Sequence, residues 1–261
     1  MLSLDIAATG MLAQQMNVDT ISNNIANMTT TGFKRQRAQF QDLMYQNKTR
    51  PGITSSSVGT VLPSGIQVGL GVKPGSIYRI NEQGPMSITG NTYDMAIAGR
   101  GYFQISMPDG SIGYSRDGSF SLNGDGEIVN LDGYPLEPGI TVPADATQVD
   151  ISEDGMVQVK VPGTIATQQI GQIQIAVFQN DAGLEAVGGN ILLETDASGT
   201  PTVGNPTDVG FGAIQQGARE ASNVNVVDEI TTLITAQRAY EMNSKVIQTS
   251  DDMLGTLTQL R

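Results

Sequence analysis

Histidine, cysteine and tryptophan are all missing from this 261-residue chain, and only 15% of its residues are charged. Without histidine or cysteine it builds no histidine-dependent triad, no thiol nucleophile and none of the usual zinc sites. No disulfide can form in any compartment. Long apolar runs are missing too: no stretch approaches the roughly 18 residues of a membrane-spanning helix, so no membrane insertion is expected. Cations are few, with 14 Lys and Arg against 26 Asp and Glu, a net charge of −12. Nucleic-acid binding needs the opposite surplus on one face, and the small cluster Lys34, Arg35, Arg37 reads instead as a solvated helix end or as subunit salt bridges. Between Met1 and Phe33 there is no Lys or Arg, and Asp5, Gln14, Gln15, Asn17 and Asp19 interrupt the apolar residues. That pattern lacks the basic start and apolar stretch of a secretory signal peptide, so a protein leaving the cytoplasm is expected to use another route.

What is abundant is glycine, at 31 residues, and 39% of the chain is hydrophobic, enough for a real core. The two ends carry apolar residues at steps of three and four, the helical period. At the N-terminus the stripe is Leu4, Ala8, Met11, Val18 and Ile25, flanked by Leu12 and Ile21, with Gly32 as a stop signal. At the C-terminus it is Val226, Ile230, Leu233, Gln237, Tyr240, Ser244, Ile247, Asp251 and Leu254, with Asn223 or Asn225 as the N-cap. Both stripes are thin and interrupted by polar residues. Neither helix buries such a stripe alone, so they are expected to pair as a coiled coil and to finish packing against other subunits; an ordinary antiparallel helix pair on a β-domain is the alternative.

Between the helices, short β-rich runs are separated by turn signals: Pro108-Asp109-Gly110, Arg116-Asp117-Gly118, Asn123-Gly124-Asp125-Gly126, Leu131-Asp132-Gly133, Glu153-Asp154-Gly155 and Asp181-Ala182-Gly183. Gly after Asp or Asn supplies the positive φ of tight hairpins, so a meander of antiparallel strands is expected. Tyr45–Leu70 is rich in Ser, Thr, Gly and Pro and reads as an extension from the β-domain, an irregular hairpin. The fold class is therefore α+β: paired terminal helices, a central hairpin-dominated antiparallel domain and an extended segment after the first helix. The expected boundaries are 1–40 for the first helix, 41–72 for the extension, 73–220 for the β-domain and 221–261 for the second helix.

Candidate chemistry fails residue by residue. Gly99 and Gly101 begin a dinucleotide fingerprint, but Gln104 holds the third glycine position and a strand follows. Asn123, Asp125 and Glu127 have the spacing of a calcium loop without its downstream Glu. Asp251 and Asp252, or Asp228 and Glu229, are helical neighbours pointing about 100° apart, which gives no shared cleft for glycosidase acids. No catalytic, cofactor-binding or metal-ligating residue is expected.

The run Ser22-Asn23-Asn24-Ile25-Ala26-Asn27-Met28-Thr29-Thr30-Thr31-Gly32-Phe33-Lys34-Arg35 strongly resembles the N-terminal signature of the bacterial flagellar rod, hook and hook-associated family. Gly99–Phe103, Tyr114–Phe120, Ser222-Asn223-Val224 and Gln237-Arg238-Ala239-Tyr240-Glu241-Met242-Asn243 agree with it. Length and the stretch Asp42–Pro74 are similar to the distal-rod branch, with another axial rod or hook protein as runner-up; a cell-surface binding module is the alternative outside the family. The resemblance implies a helical tube of identical subunits around an export channel. It also implies contacts with other rod subunits, hook protein and surrounding rings, uncleaved export by the flagellar type III apparatus, and a position in the basal body across the periplasm. Transferred to this chain, the assembly residues are Asn23, Asn24, Ile25, Ala26, Asn27, Thr31, Gly32, Phe33, Lys34, Asn223, Val224, Gln237, Arg238, Tyr240 and Asn243. Pro51, Pro63 and Gly65 mark a rod-stiffening segment over Tyr45–Ile66.

Overall fold

A computed structural model describes residues 2–49, 64–163 and 166–259. Two compact units are present: a helical unit of Met1–Ile25, Gln36–Tyr78 and Asn225–Arg261, and a β unit of Ala26–Arg35 and Arg79–Val224.

In the helical unit, α1 spans Leu2–Ala26 and α2 spans Val226–Gln259. At 1.5 Å per residue α2 is about 50 Å long. Its N-cap is Asn225, whose Oδ1 accepts the Val227 N–H (3.1 Å) while its carbonyl accepts the Glu229 N–H (3.0 Å). α1 ends at Ala26, ahead of the Gly32 stop expected from sequence. The helices run antiparallel: Ser3 Oγ lies 3.3 Å from Ser250 Oγ, a Cβ on Gly10 would sit 2.9 Å from Asn243 Nδ2, and Asn24 Nδ2 donates to Glu229 Oε2 (3.1 Å). From Ser3 to Gly10 to Asn24 the chain advances seven and then fourteen residues, and Ser250, Asn243 and Glu229 step back by the same amounts. Ala236, buried, falls on that series. A strict seven-residue repeat is the seam of a coiled coil.

The seam differs from the stripes expected from hydrophobicity. On α2, Ile230, Gln237 and Asp251 are exposed, while Glu229, Ala236 and Ser250 are buried. On α1, Leu12 is 66% exposed, and the buried residues are Ala7, Ala13, Thr20, Ile21 and Asn24. Small and polar residues let the backbones approach closely. The seam is then held by hydrogen bonds as much as by apolar burial.

The extension leaves as two paired strands. Gln36–Asp42 pairs with Val72–Arg79, and beyond them Tyr45–Thr49 runs antiparallel to Ile66–Gly69, from Tyr45↔Gly69 to Thr49↔Ile66, with a register shift between Asn47 and Thr49. This is the irregular hairpin expected from sequence. Gly65 immediately precedes the returning strand, whereas Pro51 and Pro63 lie outside the described residues.

The β unit is built from antiparallel strands. Its largest sheet has six, in the order Glu185–Gly188, Ile191–Leu193, Ile112–Ser115, Tyr102–Ser106, Ile175–Val177 and Thr202–Gly204. A second sheet orders Gln148–Ile151, Met156–Lys160 and Gln168–Gln172. Two-stranded ribbons join Met95–Ala98 to Ala213–Gln216 and Met86–Ile88 to Ala218–Glu220. The strand Tyr102–Ser106 is buried on both faces: Phe103 joins the main core with Met95, Ile97, Val157 and Ile175, while Tyr102 packs with Tyr114, Phe178 and Leu184. Edge-to-face rings fix both layers, with centroids 5.2 Å apart for Phe103–Phe120 and 4.7 Å for Tyr114–Phe178.

One turn is used four times. At Met107–Gly110, Asn123–Gly126, Asn130–Gly133 and Ser152–Gly155, the glycine N–H donates to the first residue's carbonyl, at 3.0, 3.1, 3.1 and 2.9 Å. Each first residue then donates its own N–H to the carbonyl just past the glycine, at 2.9 to 3.0 Å. The four glycines have φ between +80° and +84°, the left-handed position that closes a type I turn with a one-residue bulge. The other two Asp-containing signals do something else. Asp181–Gly183 forms a single 3₁₀ turn, and Arg116-Asp117-Gly118 leaves its strand to join a polar cluster.

Candidate functional site

In the helical unit, signature residue Asn24 closes the end of α1. Its Nδ2 donates to the Gln36 carbonyl (2.8 Å) and its Oδ1 accepts the Gln36 N–H (2.8 Å), as a neighbouring strand would, while Glu229 accepts a third bond from it. Asn24 is 1% exposed and has its polar atoms satisfied, the condition for burying an amide at low cost. Asn243 is half-buried against Gly10. Ile25 is half-buried, Asn23 lies on an exposed face, and Gln237, Arg238 and Tyr240 lie on the open side of α2.

In the β unit, the rest of the signature covers a buried ion cluster centred on Glu220, which is 1% exposed. Lys34 Nζ sits 2.5 Å from Glu220 Oε1 and donates to the Glu82 carbonyl (2.8 Å). Gly84 N–H also donates to Oε1 (2.8 Å), and Arg116 Nε forms an ion pair with Oε2 at 3.0 Å. The other ends of the Arg116 guanidinium donate to the carbonyls of Gly101 (2.6 Å) and Gly99 (2.8 Å). Two buried cations thus share one buried anion. Desolvation lowers the Lys34 pKa from the usual lysine range; the Glu220 hydrogen bond and charge oppose that shift and the Arg116 charge adds to it.

Around this centre the signature residues act through backbone and side-chain hydrogen bonds. Gly32 donates its N–H to the Glu220 carbonyl (2.9 Å) with φ +67°, and a Cβ there would lie 2.7 Å from the Arg116 and Asp117 backbone. Only glycine meets both demands. Thr31 Oγ1 donates to Asp117 Oδ1 (2.7 Å), and Asn190 Nδ2 donates to Asp117 Oδ2 (2.9 Å). Asn223, one of the two N-cap candidates, works here instead: its Oδ1 accepts the Arg35 N–H (2.7 Å) and its Nδ2 donates to the carbonyls of Ile80 (2.8 Å) and Glu82 (3.0 Å). Asn27 Oδ1 accepts the Thr30 hydroxyl (3.2 Å). Ala26 is exposed, and Phe33 and Val224 are half-buried.

Four stretches far apart in sequence, 31–35, 99–101, 115–117 and 220–223, therefore meet at one cluster, and each adjoins or overlaps a segment that carries the family resemblance. Sequence reasoning passed over Glu220 and took Arg116 and Asp117 only as parts of a turn signal, while Glu229 was weighed only as a candidate acid. Glu220 adjoins the Ser222-Asn223 motif, and nothing else in the sequence sets it apart. The cluster presents charge and hydrogen bonds. Among the described residues no group of three or more acidic, histidine or cysteine side chains could hold a metal ion, and no helix is long and apolar enough to cross a membrane.

Three family profiles match the chain: flagella basal body rod protein over residues 4–34, flagellar hook protein FlgE/F/G D1 domain over 96–159, and flagellar basal body rod FlgEFG protein C-terminal over 215–260. Similar curated proteins include the flagellar basal-body rod protein FlgG of Caulobacter vibrioides, 57% identical over 261 residues and covering 100% of both chains. Proteins of the same description from Buchnera aphidicola subsp. Acyrthosiphon pisum and Agrobacterium fabrum are 49% and 48% identical, each covering 99% of both chains.

Proposed function

The chain belongs to the flagellar basal-body rod family, and from that premise we propose that it is a structural subunit of the distal rod, polymerising into a stiff hollow tube that transmits torque. The observation that carries this reading is the similarity along the whole length of both chains to a protein described as a basal-body rod protein. The exposed apolar residues on the helices support it. Val227, Ile230, Ile234, Val246 and Met253 on α2 and Leu12 on α1 are 44 to 71% exposed, apolar surface that neighbouring copies would cover. A heterologous contact that does not close into a ring repeats as a helical filament, and further contacts between its turns make a tube.

On this reading the work is mechanical, and stiffness comes from many repeated contacts. The partners are further copies of the chain, the adjoining rod and hook subunits, the rings around the shaft and the flagellar type III export apparatus. The site is the basal body, where the rod crosses the periplasm. The extension from Tyr45 to Ile66 supplies subunit contacts that keep the tube straight, and the signature residues hold each subunit in the shape that assembles. Deleting residues 50–63 and imaging the axial structures tests the reading. Tubes that still form but bend support it; a complete straight shaft of unchanged stiffness, or one still complete in cells lacking the whole chain, overturns it.

A further inference from the structure

Beside the ion cluster the β unit contains an open cavity of about 210 Å³, lined in part by Lys34, Gln83, Arg100, Tyr102, Arg116 and Asp181. Lys34, Arg100 and Arg116 give it three cationic donors, with Asp181 as the lining carboxylate. Tyr102, 5% exposed as a residue, lines the cavity, and its hydroxyl makes no hydrogen bond to another described residue. Lys34 Nζ spends two of its three protons, on Glu82 and Glu220. At the mouth, the Arg100 side chain is 62% exposed; its Nη2 donates to the Phe178 carbonyl (3.0 Å) and lies 3.6 Å from Asp181 Oδ2, a loose pair.

Charge points the same way. Three cations, Lys34, Arg100 and Arg116, line or adjoin this space against two carboxylates, Asp181 and Glu220, in a chain whose net charge is −12. This balance of charge favours an anion over a cation. A small oxyanion fits it, accepting from the phenol and the ammonium inside and from the guanidinium at the entrance.

We infer that this cavity is a receptor for a carboxylate side chain of a second copy of the chain. The assignment of the occupant rests on the rod reading above, in which each subunit is surrounded by copies carrying 26 Asp and Glu against 14 Lys and Arg. Carboxylates are then the most concentrated oxyanions at the mouth. The contact joins a specific acid to a half-enclosed donor set, which fixes orientation between copies more than it adds affinity.

The experiment has two arms. In the first, purified wild-type, Tyr102→Phe and Arg100→Ala chains are melted in sodium acetate and in sodium chloride at matched ionic strength. Wild type gains stability specifically in acetate, and Tyr102→Phe, which deletes only the hydroxyl, weakens the acetate affinity by about tenfold or more. In the second, basal bodies carrying Arg100→Lys are treated with a carbodiimide, which forms an amide between the introduced amine and an adjacent carboxylate while the reagent takes up the water lost. The expected product is a cross-linked dimer of this chain joined at position 100 to an Asp or Glu of the second copy. A link only to Asp181 of the same chain, a link to a different protein, or an acetate effect equal in all three chains overturns the inference while leaving the rod reading intact. Absence of the chain from basal bodies overturns both.

Discussion

Replacing Glu220 by Gln removes the one anion from between Lys34 and Arg116 with almost no change of shape. The carboxylate is 1% exposed, 2.5 Å from the ammonium and 3.0 Å from the guanidinium. The amide oxygen can still accept from Lys34 or Gly84, but the amide nitrogen then faces Arg116 Nε–H, donor against donor. Breaking a buried ion pair from one side costs about 3–5 kcal/mol because the partner charge stays buried. With a urea dependence near 2 kcal/mol per molar, the unfolding midpoint of the β unit falls by about 1.5–2.5 M. The assay is urea unfolding followed by tyrosine fluorescence, which is unobscured because the chain has no Trp, and Tyr102 and Tyr114 report from the core. Amide exchange at Gly32 and Gly84, both bonded to Glu220, locates the effect. Lys34→Met combined with Glu220→Gln removes one of the stranded cations, so the double substitution costs less than the sum of the singles by about 2 kcal/mol. A midpoint that moves by less than about 0.3 M, or costs that simply add, would refute the view that the cluster holds the β unit together.

Asn24→Ala removes three hydrogen bonds at the end of α1, two to Gln36 and one to Glu229, and should cost about 2–3 kcal/mol; loss of exchange protection at Gln36 is the check, and unchanged protection there counts against the reading. Gln216 guards the free edge of Gln148–Ile151, accepting the Ile151 N–H (3.0 Å) and donating to the carbonyls of Val149 (3.0 Å) and Thr92 (2.9 Å). Gln216→Ala should therefore open an edge to strand pairing and increase aggregation of the purified chain, measured by light scattering over time. Burial raises the phenol pKa of Tyr102 and Tyr114. Above about pH 10 the unfolded chain loses these protons while the native chain keeps them, so stability falls as pH rises, by up to about 1.4 kcal/mol per pH unit for each group. Lys34, with its pKa lowered, acts in the opposite sense below the usual lysine value, and Tyr102→Phe should flatten the alkaline decline in urea midpoints.

Much of this architecture is legible in the residues because backbone conformation is written locally. The Asp-Gly turns announce themselves through glycine's positive φ, and Asn225 through its side-chain oxygen ahead of an acidic first turn. The helix seam is less legible for a physical reason. Its members, Ser3, Gly10, Asn24, Glu229, Ala236, Asn243 and Ser250, are small or polar, so a search for apolar periodicity finds the neighbouring rows that stay partly open in one subunit. Glu220 is harder still, since an isolated acid gives no hint that Lys34 and Arg116 converge on it from distant positions. At Gly32 and Asn24 the signature marks conformational needs within the chain.

Electron cryo-microscopy of intact basal bodies, with a small tag inserted at the exposed turn Gly199–Thr200, tests the central claim most directly. The account predicts repeated tag density along the straight shaft beneath the hook. Tag density confined to the curved hook, to a more proximal part of the shaft or to the cell surface would contradict it.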